Sequence, residues 1–201
     1  MTVSTPKEAH LWERDPHDWY VEEPWCTTAL ARMETFVGNV WDPCCGQGNI
    51  PLALHKVGVS AYGTDIIERR PDRRGTIGLD FFEDAKTREP ETIDNVVSNP
   101  PYFSGKGTED FIRAAWPLVR RKLCVYADVR FLGGDERAEN LYQEIPPSRI
   151  YMLTPRPSCP PGAYLLAGNK AGGGTQNYVW LVYDKHVAMF GTTWHWLRRG
   201  A

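Results

Sequence analysis

Short apolar runs alternate with amphipathic stretches through most of the chain, and the early runs each stop at an acidic or amide residue followed by a turn. Residues 38–41 break at Asp42-Pro43, residues 59–64 end at Asp65, residues 76–79 end at Asp80, and residues 92–98 close on Asn99-Pro100-Pro101-Tyr102. Runs of this length bounded by turn chemistry predict strands. A fifth strand is expected over 123–129 and two late ones over 149–154 and 178–183. Helical spacing is read over 27–36, from Gly48 through Ile50, Leu52, Leu54 and Val57 to a stop at Gly58, and over 108–121. Pro51 is tolerable in the first turn of the second helix, whereas Pro117 argues for a kink or early end in the third. Strands alternating with helices predict an α/β fold, a doubly wound and mostly parallel sheet covered on both faces, with the two late strands as a closing antiparallel hairpin. Residues 1–17 read as a polar arm and 18–201 as one domain.

Composition narrows the class. A chain of 201 residues with 42% hydrophobic and 24% charged positions suits one globular core. No apolar run approaches the roughly 20 residues that cross a bilayer, and no basic-then-apolar leader opens the chain, so a cytoplasmic address is expected. The five cysteines (26, 44, 45, 124, 159) lack zinc or disulfide-framework spacing, and the five histidines are scattered, so no metal site is expected. A net charge of −2 gives no global attraction to a polyanion, although Arg69, Arg70, Arg73 and Arg74 cluster locally, as do Arg120, Arg121 and Lys122. The segment 155–177, rich in proline and glycine, is long enough to expect a functional or mobile loop.

Three motifs carry chemistry. Asp42-Pro43-Cys44-Cys45-Gly46-Gln47-Gly48 lies between a strand and a helix, where glycines allow a sharp turn and close approach of backbone to a ligand. Pro51 stands where a dinucleotide fingerprint needs its third glycine, which counts against NAD. Asp65, at the end of the second strand, is placed to take both ribose hydroxyls of an adenosine-containing cofactor. Asn99-Pro100-Pro101-Tyr102 follows the fourth strand. An aromatic amino nitrogen is a poor nucleophile because its lone pair is delocalised, so a catalyst must draw its hydrogens out of plane with acceptors. The Asn99 side-chain oxygen and the Pro100 carbonyl are candidates, the prolines stiffen the loop, and Tyr102 offers a face for stacking a base.

The order of these motifs resembles that of class I S-adenosylmethionine-dependent methyltransferases, specifically the amino-group enzymes with an Asn-Pro-Pro-Tyr loop. The resemblance spans about residues 18–131. It implies a seven-stranded sheet and S-adenosyl-L-methionine as cofactor. Asp42, Pro43, Cys44, Gly46 and Gly48 would surround its methionine end, Asp65 with Ile66 its ribose, and Asp80 with Phe81 its adenine. Tyr20 to Pro24 with Thr27 is similar to the family's upstream cofactor-contacting segment, and Asn99, Pro100, Pro101 and Tyr102 would form the catalytic loop. The expected substrate is an exocyclic amino group, adenine N6 in DNA or RNA, approached without a separate target-recognition domain. A protein glutamine amide is the alternative, and a non-catalytic cofactor-binding module is the alternative of another class. The basic cluster from Arg69 to Arg74, Arg130 and the loop Pro155-Arg156-Pro157 are candidate backbone contacts. Trp180 is expected to face the core, while Trp194 and Trp196 are candidates to cover a partner surface.

Overall fold

The structure is a computed structural model and describes residues 15–69, 76–187 and 191–200. Most of the 1–17 arm, and Arg70, Arg73 and Arg74, lie outside the described residues. The strands are β1 (Val40–Asp42), β2 (Ala61–Asp65), β3 (Thr76–Ile77), β4 (Ile93–Ser98), β5 (Val119–Asp128), β6 (Arg149–Thr154), β7 (Tyr178–Asp184) and β8 (Thr193–Arg198). They form one sheet in the order β3-β2-β1-β4-β5-β7-β6-β8. β7 runs antiparallel to both β5 and β6, and the other pairings are parallel. The expected seven-stranded, doubly wound sheet with its antiparallel hairpin is present, and β8 extends it beside β6.

Alternation along the strands builds a core on each face. Trp180 and Val182 of β7 join Val97, Cys124 and Tyr126 under α1 (Pro24–Met33) and α2 (Asn49–His55). Val179, Leu181 and Tyr183 point the other way, to Val96, Leu123 and Val125 under α3 (Phe81–Thr87) and α4 (Lys106–Ala115). Every residue of β7 is buried, as a strand covered on both sides requires. Trp180, expected in the core, is there, with its Nε1 donating to the Cys26 carbonyl at 3.0 Å.

Several boundaries differ from the sequence reading. The helix expected over 108–121 spans Lys106–Ala115, because Pro117 sits in a 3-10 turn over Trp116–Leu118 and β5 starts at Val119. Arg120, Arg121 and Lys122 therefore lie on a strand. Helix α3 was not expected; Asp80 caps it, accepting from the amides of Phe82 (2.9 Å) and Glu83 (3.3 Å). Two short helices, α5 (Asp135–Glu139) and α6 (Leu141–Glu144), follow β5, and α7 (Gly162–Leu166) lies within the long 155–177 connection.

Candidate active site

The parallel strands β1, β2 and β4 deliver their C-terminal residues to one rim, where open α/β sheets place their ligands. Asp42, the last residue of β1, is buried and accepts from the Ser98 hydroxyl at 2.7 Å and the Cys44 amide at 3.3 Å. The Ser98 bond ties the end of β1 to the end of β4 and sets the 99–102 loop beside the first motif. Burial pushes the Asp42 carboxyl well above its usual range, against the lowering effect of Ser98. Asp65 closes β2 and accepts from the Gly46 amide at 2.8 Å and the Ile67 amide at 2.9 Å. Gly46 holds φ +53 and Gly48 φ +77, a region that costs other residues strain, so the turn needs glycine at both positions.

A cavity of about 300 Å³ opens over this rim. It is lined by Tyr20, Asp42, Pro43, Cys44, Gly46, Asp65, Ile66, Asp80, Phe81, Asn99 and Pro101, all expected from the sequence. Thr27, Gly48, Pro100 and Tyr102 are not in its lining. Thr27 is buried in α1, and its hydroxyl has no hydrogen-bond partner among the described residues. Gly48 caps α2, and Pro100 is buried. Tyr102 instead borders a second cavity of about 500 Å³ with Phe131, Arg130, Arg137 and Tyr178, and Asp18 and Tyr20 line both spaces.

Asn99 lines the first cavity and is hydrogen-bonded to Tyr102, which lines the second. Its Nδ2 donates to the Tyr20 carbonyl and to Glu22 Oε2, each at 2.9 Å, and its Oδ1 accepts from the Tyr102 hydroxyl at 2.8 Å. A peptide carbonyl only accepts, so the nitrogen must face Tyr20 and the oxygen must face Tyr102. Glu22 is buried, and desolvation raises its carboxyl to about 7 even though the Asn99 bond pulls it down. Backbone in the sparsely populated positive-φ region gathers here too: Asp18 at +51, Phe103 at +38 and Ser104 at +61, with the Phe103 amide donating to Asp18 Oδ2 at 2.5 Å.

Sequence reasoning missed Trp19, took Glu22 only as part of the 20–24 segment, and took Arg69 only as a candidate nucleic-acid contact. The Trp19 indole lies against Gly46, where an added Cβ would sit 2.6 Å from Nε1, and it also packs on Gly162. The Arg69 guanidinium rests 4.1 Å from the Trp19 ring centroid. Residues 19–21 are held by the long connection after β6: Gly162 donates to the Trp19 carbonyl and Val21 to the Pro160 carbonyl, each at 2.9 Å. Local sequence carried no sign of these contacts, because each partner lies far along the chain. Of the candidate nucleic-acid contacts, Arg130 pairs with Asp128 (2.7 Å) and Arg156 with Asn177 (2.8 Å).

The lining suits a cationic nucleoside ligand. Asp18, Glu22, Asp42, Asp65 and Asp80 share the lining with Arg69, so carboxyl groups outnumber arginines, while Leu79, Phe81 and Phe82 give an apolar end for a ring. The volume is at the lower end of the usual range for small-molecule sites. Among the described residues no group of His, Cys, Asp and Glu is arranged to hold a metal ion, and no helix is long and apolar enough to cross a membrane. All five cysteines are free thiols.

The architecture is a fold shared with solved S-adenosylmethionine-dependent methyltransferases. The chain is similar to such a methyltransferase from Archaeoglobus fulgidus, at 13% identity over 81% of this chain and 95% of that one, with a TM-score of 0.53. It is also similar to a proposed RNA methyltransferase from Pyrococcus horikoshii, at 12% identity over 82% and 90%, with a TM-score of 0.57. At these identities the likeness is one of fold. No family model matches the chain, and no curated protein matches it.

Proposed function

We propose that the protein is an S-adenosylmethionine-dependent methyltransferase acting on an exocyclic aromatic amine, adenine N6 in nucleic acid. The observation that carries this is the Asn99 amide, which lines the cofactor-sized, acid-lined cavity with its oxygen held by the hydroxyl of Tyr102, a ring that lines the second, aromatic-walled cavity. Asp42 and Glu22 would face the cationic end of the cofactor, Asp65 its ribose, and Ile66, Leu79 and Phe81 its base. When bound, the cofactor supplies an electrophilic methyl carbon that leaves sulfur as a neutral thioether. The chain supplies position: Asn99 Oδ1 accepts one amino hydrogen, and the Pro100 carbonyl is the acceptor assigned to the other.

Tyr102 has a dual place in this reading. Its hydroxyl now donates to Asn99 Oδ1, so a substrate amine either takes its place or uses the oxygen's second lone pair. Tyr20, Tyr102, Phe131 and Tyr178 provide the ring faces on which an extruded base is held.

The test is incubation of purified protein with methyl-labelled cofactor and separate pools of DNA, RNA and protein. Label is expected in nucleic acid, as N6-methyladenine after digestion; label confined to protein would refute the nucleic-acid assignment. Asn99→Ala is expected to cut transfer by 100-fold or more, roughly the scale of losing one positioned hydrogen-bonding group, while calorimetric cofactor binding persists.

A further inference from the structure

We propose that Glu22 is a positioning residue for the transfer: its carboxylate locks the Asn99 amide and polarises it, making Oδ1 a stronger acceptor for the substrate's amino hydrogen. The proposal rests on the reading of Asn99 as the group that receives the amine. Both hydrogens of Asn99 Nδ2 are engaged, one by the Tyr20 carbonyl and one by Glu22 Oε2, so the amide has no free donor and presents only its oxygen. A bond from an amide N–H to a carboxylate is charge-assisted, and electron density withdrawn from N–H toward the anion accumulates on the amide oxygen.

A structural role for Glu22 would lead one to expect a cation beside it. Asp42 from β1, Cys26 from α1, Tyr102 from the loop after β4 and Cys159 from the connection after β6 interact electrostatically with it, and none of them is a cation. Arg69, which shares the cavity lining, lies 4.0 Å from Asp65, and Arg199 pairs with the neighbouring Glu23. A carboxylate buried among acids, thiols and a phenol is costly to hold, and such groups gather where chemistry needs them. Glu22 also lines the cofactor cavity, so its charge acts where a cationic ligand sits and where positive charge passes to the amine nitrogen.

The substitution that isolates the charge is Glu22→Gln, which keeps an oxygen acceptor for Nδ2. With nitrogen-15 labelled protein, the Asn99 side-chain amide signal, assigned by its loss in Asn99→Ala, is expected to move between pH 6 and pH 8 in the wild type. In Glu22→Gln it is expected to stay fixed. With the best nucleic-acid substrate, Glu22→Gln is expected to lower kcat about tenfold at pH 8, the worth of one charge-assisted bond. KM for nucleic acid should change by less than about twofold, and the rise of kcat from pH 6 to pH 8 should disappear; Glu22→Asp should restore part of that rise.

An Asn99 signal indifferent to both pH and the substitution would overturn the proposal, as would a Glu22→Gln enzyme with wild-type kcat and pH profile. Failure of the underlying reading looks different. The amide signal would still respond to pH, but the wild type would transfer no methyl group to any amine, or Asn99→Ala would be as active as the wild type.

Discussion

Glu22 and Asp42 are carboxylates shielded from water in neighbouring positions, and burial raises both. For Glu22 the sign follows directly: the folded state holds its proton to about pH 7, the unfolded chain releases it near 4.5. Stability from this group is therefore full below 4.5 and declines as pH rises to 7, by on the order of 3 kcal/mol. Glu22→Gln is expected to flatten that slope in denaturant titrations of the cofactor-free protein between pH 5 and pH 8; an unchanged slope would count against it. Gly46 makes a second residue-scale case. Gly46→Ala combines a disfavoured φ with contact against Trp19, and is expected to cost about 1–2 kcal/mol and weaken cofactor binding more than tenfold in calorimetry. Asp42, Gly46 and Asp65 were legible because a strand, a turn and a helix start are written in consecutive residues. Glu22 and Trp19 were not, since their meaning lies in partners such as Asn99, 77 positions away.

At the scale of elements, apolar alternation identified β4, β6 and β7 closely because both sheet faces are buried and leave little choice of residue. Helix α3 escaped notice because it is only seven residues long and buries a single one, Phe81, so it shows no helical apolar period; the capping carboxylate of Asp80 marks its start. Strand β8 escaped for a similar reason. Five of its six residues are exposed, Trp194 at 40% and Trp196 at 67%, so it has no buried-face pattern and exists through its register with β6. The centre of β7 carries a sharper expectation. Trp180→Ala removes a fully buried ring together with its hydrogen bond to the Cys26 carbonyl, and is expected to cost about 3–5 kcal/mol in chemical denaturation.

Across the whole molecule, a buried ion cluster joins α1 to the sheet far from the site in sequence. Glu34, just after α1, accepts from Arg149 at 2.5 and 2.9 Å, Lys122 at 2.6 Å and Tyr151 at 2.8 Å, and Arg149 also reaches Asp184 at 2.7 Å. Burial alone would raise Glu34 and Asp184, but Arg149, helped by Lys122, holds both below their usual values. Their contribution is present above the ordinary carboxylate range and lost as pH falls through it, opposite in sense to that of Glu22. The cofactor-free protein is therefore expected to show its highest Tm near pH 5, falling toward both acid and neutral pH. Glu34→Gln should lower stability by about 3–5 kcal/mol because it leaves Arg149 and Lys122 short of their shared anion.

The partition formed by Asp18 and Tyr20 carries a consequence of its own. It is a party wall: one stretch of chain furnishes both chambers, so a ligand that moves this stretch on one side would reshape the other. If an adenine-bearing oligonucleotide binds there as proposed, thermodynamic reciprocity requires it to change cofactor affinity by the same factor as the cofactor changes oligonucleotide affinity. Titrating each ligand in the presence and absence of the other would measure that factor, and a factor of one would mean the wall is rigid.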